Sequence, residues 1–269
     1  MQPAKTERRA IVMLSAGDRP WFPLAARTFE IYAERCGADF IVETELPTPE
    51  EFPLGRLPAT RGRANKLAYA SKTFFAWKHL RKGYDRLLFV DDTCVVRLNT
   101  PDVFDIVPFG ELGGVGTGVR HARLSFEEIR RFTERAGYDP VDFKEKQYLN
   151  SGFLVYDRTM IDAIAPERVI DARRLLMSKL PHQTLTYYLI RSAGIRTHVL
   201  PRLYNTVPAA RLPKEERRYM TDILPHLSEE AFVFHLTGIY RNRGALIAQI
   251  VDKVLSETAG SEVPGGSGA

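Results

Sequence analysis

The sequence predicts an α/β fold in which a mostly parallel central sheet is flanked by helices, and three observations predict it. Short apolar runs at 11–14, 40–42 and 87–90 alternate with segments whose apolar residues recur at helical spacing. The order strand, loop, helix, strand at the start of the chain suits parallel strands joined by crossover helices. An acidic pair, Asp91-Asp92, stops the apolar run Leu87-Leu88-Phe89-Val90. That is the carboxyl end of a strand, the edge at which open α/β sheets bind ligands.

The elements follow in order. Residues 11–14 form a buried strand running into Ser15-Ala16-Gly17-Asp18, and residues 21–35 then carry a helical pattern that ends before Gly37. Phe40-Ile41-Val42 is a second strand. Residues 45–57 hold Pro47, Pro49 and Pro53, with Pro58 at the margin, and read as an irregular surface loop. A helix over 65–82 rests on Leu67, Ala70, Phe74, Phe75, Trp77 and Leu80; Gly83 closes it, and the strand 86–90 follows. Next come a turn region at 99–108, the segment Gly113-Gly114-Val115-Gly116-Thr117-Gly118 and a helix over 125–136. The glycine-rich segment lacks the strand, GxGxxG, helix context of a dinucleotide site, so it supports no more than flexible backbone near a ligand. Phe153-Leu154-Val155-Tyr156 is a core strand introduced by Asn150-Ser151-Gly152. Residues 178–193 are helical with an interruption at Pro181, residues 231–234 form a last strand ending at His235, and 244–258 is a closing helix. With no internal repeat and no clean linker, one domain spans 1–256, and 257–269 is a flexible tail rich in Gly and Ser.

Composition sets the outer bounds. A chain of 269 residues, 44% hydrophobic and 26% charged, can bury a full core in one large α/β domain. Its 38 basic and 33 acidic residues leave a net charge of +5, a bias toward phosphates or an acidic membrane face rather than a nucleic-acid signature. Cys36 and Cys94 lack CxxC or Cys/His spacing, which argues against a disulfide framework or a zinc site and fits a reducing compartment. The first residues are charged but are followed by no apolar stretch of secretory type. No apolar run reaches the roughly 18 residues of a spanning helix. The expected location is therefore cytoplasmic, with any membrane contact peripheral at the inner face.

Two adjacent carboxylates at a strand end repel each other unless a cation or a set of donors compensates them. Hard divalent ions prefer such oxygen ligands, and Mg²⁺ or Mn²⁺ commonly bridges one or two carboxylates to substrate phosphates. A capping pair on a solvated loop is the plain alternative.

At this point the sequence resembles the GT-A glycosyltransferases, the family 8 type in particular, in which an apolar strand runs into a DxD motif. Here that segment is Phe89-Val90-Asp91-Asp92-Thr93-Cys94-Val95-Val96. Four further segments match in order. Asn65-Lys66-Leu67 and the helix behind it are similar to the segment that helps contact the donor. The run from Tyr148 to Val155 resembles an aromatic-x-Asn-small-Gly strand that lines the sugar pocket with Asn150 and Gly152. His182-Gln183 resembles an Asp-Gln pair, and the run from His235 through Gly238 to Arg241 resembles a His-x-x-Gly-x-x-Lys segment. The resemblance implies a GT-A fold, a nucleotide-diphosphate-sugar donor and a hydroxyl acceptor on a glycan or glycolipid. It further implies a Mn²⁺ or Mg²⁺ site from Asp91, Asp92 and His235, with Arg241 at the diphosphate.

Two departures stand out. Thr93 replaces the third acid of the DxD motif, leaving Asp92 or the Thr93 hydroxyl to complete the metal site. His182 replaces the acid of the Asp-Gln pair, which leaves Gln183 as the polar group near the reacting carbon. Inversion needs a general base on the acceptor hydroxyl, and with no carboxylate at 182 or 183 retention is expected. Asp157 is the candidate base of an inverting alternative, or else a helix N-cap. Ala16 and Asp18, in the loop after the first strand, are placed to meet the nucleotide, although Asp18 equally suits a helix cap. The basic group Arg211, Lys214, Arg217 and Arg218 is read as a solvated face or as a contact for an anionic acceptor or lipid headgroup. A nucleotidyltransferase would need more glycine after the first strand, and an inactive nucleotide-sugar-binding protein is the non-catalytic alternative.

Overall fold

The computed structural model describes residues 7–54, 63–117, 119–138, 141, 142, 144, 147–238 and 240–259. In chain order the elements are β1 (Arg9–Leu14), α1 (Phe22–Arg35), β2 (Ala38–Glu43), α2 (Arg63–Arg81), β3 (Arg86–Asp91) and β4 (Cys94–Val96). Then come α3 (Val103–Ile106), β5 (Glu111–Gly116), α4 (Val119–Ala136), β6 (Leu149–Asp157), α5 (Pro166–Asp171) and α6 (Pro181–Ser192). The chain continues with β7 (Arg196–Leu200), α7 (Lys214–Tyr219), β8 (Val233–His235) and α8 (Arg243–Ala259).

Six strands form one sheet in the order β2-β1-β3-β6-β5-β7. All run the same way except β6, which is antiparallel to both β3 and β5. The mostly parallel α/β sheet expected from the sequence is therefore present. Period-two alternation sends Ala10, Val12, Leu87, Phe89, Leu154 and Tyr156 to one face, against α2 and α6 through Phe74, Phe75, Leu185 and Leu189. Ile11, Met13, Leu88, Val90, Phe153 and Val155 face the other side, where α1 supplies Phe29, Tyr32 and Ala33. Each such fully buried large side chain contributes about 1.5–3 kcal/mol.

A second, two-stranded sheet pairs β4 with β8 antiparallel, Cys94 opposite His235. Beneath it α8 packs Leu246, Ile247, Ile250 and Val254 against Val95, Phe234 and Leu236. This small sheet brings a strand from the end of the chain to the end of β3.

Three readings change. The glycine-rich segment is largely β5, an interior strand, and its glycines answer packing rather than a ligand. A Cβ on Gly113 would lie 2.5 Å from Val107 Cγ2, and one on Gly114 would lie 2.8 Å from Leu154 Cδ2. Gly118 lies outside the described residues. Pro181 does not interrupt a helix but begins α6, because a first-turn residue has no N–H to pair and the ring presets φ. The last helix extends through Ala259, and residues 260–269 of the expected tail lie outside the described residues. No helix among the described residues is long and apolar enough to cross a membrane.

Candidate active site

β1 and β3 end together, Leu14 opposite Asp91, and antiparallel β6 begins at this same edge. A cavity of about 610 Å³ opens there. Its walls come from the segment after β1 (Ala16, Arg19), one face of α2 (Ala68, Tyr69, Lys72) and the end of β3 (Asp91, Asp92, Thr93). The start of β6 (Asn150, Ser151, Gly152), Lys179 just before α6, the start of that helix (His182, Gln183), and His235, Gly238 and Arg243 also line it.

The acidic pair is compensated as its chemistry requires. Asp91 Oδ1 takes a short, direct ion pair from the Lys72 ammonium, and Asp91 Oδ2 lies 3.6 Å from His235 Nε2. Burial by itself would raise the Asp91 carboxyl, but the Lys72 charge against it outweighs burial and holds it well below the ordinary carboxylate range. Asp92 turns the other way, toward Ser15 Oγ at 3.4 Å and Arg19 Nε at 3.5 Å. Burial and the neighbouring Asp91 charge raise its carboxyl.

His235 is 2% exposed, and its Nε2 has no hydrogen-bond partner. Its Nδ1 meets Asn205 Oδ1 at 2.8 Å. Gly152 makes the space for this ring, since a Cβ there would lie 2.2 Å from His235 Cε1. An orphaned imidazole nitrogen facing a carboxylate oxygen suits a divalent cation, so Asp91 and His235 fit the metal that the resemblance implies. Asp92, expected as a further ligand, is turned away from this pair. Among the described residues no three His, Cys, Asp or Glu side chains converge. A cation here would have two protein donors and take its remaining ligands from substrate phosphates and water.

Across the cavity, Gln183 Nε2 donates to Thr117 Oγ1 at 2.8 Å. His182 is buried, with Nε2 3.2 Å from Thr73 Oγ1 and Nδ1 unpartnered. Burial, reinforced by the Lys72 charge, pushes its imidazole down to about 3.

The remaining expected residues divide. Ala16, Asn150, Gly152 and Gly238 line the cavity. Asp157 does not. Because β6 runs antiparallel, Asp157 pairs with Arg86 at the opposite edge of the sheet, where it accepts from Thr159 N at 2.9 Å as a cap. Asp18 is exposed and stands outside the cavity lining, and Lys66 points elsewhere, its Nζ 2.7 Å from Met177 Sδ. Arg241 lies over the Tyr219 ring, 4.9 Å from its centroid, because its backbone N–H is tied to Arg218 O at 3.0 Å. Two residues further on, Arg243 reaches the cavity instead.

Sequence reasoning missed Lys72, Arg19, Arg243 and Asn205. Lys72 had no distinguishing signal, since its helix also carries Arg63, Lys66, Lys78, His79 and Arg81. Asn205 had none, since it reaches His235 through long-range backbone pairing: Thr206 N to Val233 O and His235 N to Thr206 O, both 2.8 Å.

No protein-family model matches the chain, and no curated protein sequence does. Solved structures do. The galactosyltransferase LgtC, solved in complex with donor and acceptor sugar analogues, aligns with TM-score 0.58 at 13% identity, covering 95% of this chain and 98% of that one. An active-site glutamine-to-glutamate mutant of LgtC aligns with TM-score 0.51 at 16% identity, over 95% and 98%. A glycosyltransferase involved in glycosylation of the major capsid of the virus PBCV-1 aligns with TM-score 0.52 at 12% identity, over 87% and 98%. The chain therefore has the GT-A fold that its motifs led us to expect.

Proposed function

We propose that the chain is a glycosyltransferase, with residues 1–256 as its catalytic unit. It moves a sugar from a nucleotide-diphosphate donor to a hydroxyl of a glycan or glycolipid acceptor. The observation that carries this reading is the cavity at the carboxyl end of β3, where Asp91 and the orphaned His235 Nε2 face each other among Lys72, Arg19 and Arg243. Such a site suits a diphosphate, and the LgtC complex, with donor and acceptor analogues on the same fold, supports a two-substrate cavity. A glutamine belongs to the active site of LgtC, which supports a role for Gln183 beside the sugar.

A Mn²⁺ or Mg²⁺ ion held by Asp91 and His235 would supply Lewis-acid stabilisation of the departing diphosphate. Lys72 holds Asp91 ionised and adds a fixed positive charge at that wall, and Arg19 and Arg243 add two more where negative charge develops. In the transfer, the bond from the sugar's anomeric carbon to the phosphate oxygen breaks with its electron pair left on phosphate. The acceptor oxygen bonds to that carbon, and its proton passes to the departing phosphate.

Retention is the outcome we propose, since the carboxylates that line the cavity are already committed to cations. Among the described residues, Asp91 and Asp92 are the carboxylates that line the cavity, and both face cations. His182, with its imidazole pushed down to about 3, is too weak a base for the task. On the outer surface Arg211, Lys214 and Arg218 form a basic group suited to an anionic acceptor or a lipid headgroup, while Arg217 turns in toward Tyr240 with its Nε buried. Salt-sensitive binding to vesicles containing phosphatidylserine would support peripheral membrane contact, and no binding at low salt would remove it.

The functional test is a transfer and donor-hydrolysis assay over UDP-, GDP-, dTDP- and CMP-sugars with Mn²⁺. One donor class should turn over, and Asp91→Asn or His235→Ala should lower the rate at least about 100-fold. Binding without turnover across the panel would make the chain a nucleotide-sugar-binding protein.

A further inference from the structure

We infer that Asn205, which does not line the cavity, is the positioning residue that makes His235 a metal ligand by fixing which ring nitrogen carries the proton. The inference rests on the metal-assisted reading of the site above. It starts at a backbone group whose polarity is not in question. Gly152 N–H donates to Asn150 Oδ1 at 2.8 Å, so the oxygen of the Asn150 amide must be the atom placed there. That same oxygen receives Asn205 Nδ2 at 3.0 Å. Turning the Asn205 amide over would set its oxygen against the Asn150 oxygen, two acceptors with no proton between them. Asn205 Oδ1 is therefore the atom 2.8 Å from His235 Nδ1. A carbonyl oxygen only accepts, so Nδ1 carries the proton.

The consequence falls on the other nitrogen. In a neutral imidazole protonated at Nδ1, Nε2 holds a lone pair. Here that lone pair is buried, has no hydrogen-bond partner and points toward Asp91 Oδ2 across 3.6 Å. Two electron donors aimed at one another across this gap call for a cation. Fixing the tautomer through a hydrogen bond on the far ring nitrogen is the usual way a protein prepares a histidine ligand. Asn205 is itself 8% exposed and is pinned beside His235 by the backbone pairing of Thr206. Asn150 thus lines the cavity and, through its oxygen, anchors the relay.

The test reads the proton directly and does not depend on turnover. Long-range ¹H–¹⁵N correlation on the chelator-treated, full-length wild-type protein should show His235 as the Nδ1–H tautomer. Asn205→Leu should lose that preference and weaken Mn²⁺ binding, followed by the electron paramagnetic resonance signal of free Mn²⁺, by about 10- to 100-fold. Asn205→Asp sets its second oxygen against Asn150 Oδ1 but keeps an acceptor against Nδ1, so it should retain the Nδ1–H tautomer and bind Mn²⁺ more tightly than Asn205→Leu. The wild-type spectrum and the Asp variant decide the matter even if the Leu variant does not fold. An Nε2–H tautomer in a wild-type protein that binds Mn²⁺, or equal Mn²⁺ affinity in the Leu and wild-type proteins, overturns the relay while leaving the transferase reading intact. A wild-type protein that binds no Mn²⁺ overturns the metal site, and the inference with it.

Discussion

Gly152 occupies a place where no side chain fits, because the His235 ring fills it. Gly152→Ala should displace that ring, cost about 1–3 kcal/mol by overpacking and weaken Mn²⁺ binding. Thermal unfolding and a Mn²⁺ titration measure the two effects, and unchanged Mn²⁺ affinity would mean that the ring position does not matter. Lys72 is the second residue with a sharp expectation. Lys72→Ala leaves Asp91 without its direct cation and should lower the transfer rate about 10²–10³-fold, whereas Lys72→Arg should retain much of it. His182 governs a pH effect. Its folded pKa, about 3, lies below the ordinary histidine value of 6.5, so in that window the unfolded chain binds more protons than the folded one. Stability then rises with pH from about 3 to 6.5, and the loss falls on the acid side. His79, lowered by burial against its Glu43 partner, adds to the same slope. His182→Asn should flatten the decline measured by urea unfolding between pH 6.5 and 4, and an unaltered slope would show that His182 does not contribute.

At the scale of elements, β5 shows how sequence pattern and structure diverge. Gly113, Gly114 and Gly116 read as flexible backbone because the cues that mark strands, β-branched and aromatic residues, are reduced to Val115. The strand persists because hydrogen bonding to β6 and β7 on both sides outweighs propensity, and because Val107 and Leu154 fill the space a side chain would take. Gly113→Ala should therefore destabilise by about 1–3 kcal/mol. Adding Val107→Ala should recover part of that loss in chemical unfolding, and strict additivity of the two changes would contradict the packing explanation. The strands β1, β3 and β6 were legible since each carries a continuous apolar run, buried on both faces of the sheet. The strand β4 escaped notice behind the acidic stop, and β7, Arg-Thr-His-Val-Leu, reads as polar because it lies at the sheet edge.

For the molecule as a whole, the site exists because the chain returns five times to one edge of the sheet. After the end of β1 come the middle of α2, the turn after β3, the start of β6, the start of α6 and the β8 strand with its following turn, all meeting there. Residues that belong to short motifs, Asp91, Gly152, Gln183 and His235, could be reached through the family resemblance those motifs carry. Lys72, Asn205 and Arg243 could not, since topology rather than local pattern delivers them. The same topology takes Asp157 to the far edge, where reversal of β6 makes a motif neighbour a distant residue. Everything proposed for this protein depends on whether the shared edge is a nucleotide-sugar site built around Asp91 and His235. Calorimetric titration of the wild-type and Asp91→Asn proteins with UDP-, GDP-, dTDP- and CMP-sugars, each with Mn²⁺ and with chelator, tests it most directly. The predicted result is saturable binding of one nucleotide class, at least about tenfold tighter with Mn²⁺ than with chelator, and lost in Asp91→Asn. Binding that is indifferent to both Mn²⁺ and Asp91, or no binding across the panel, would contradict it.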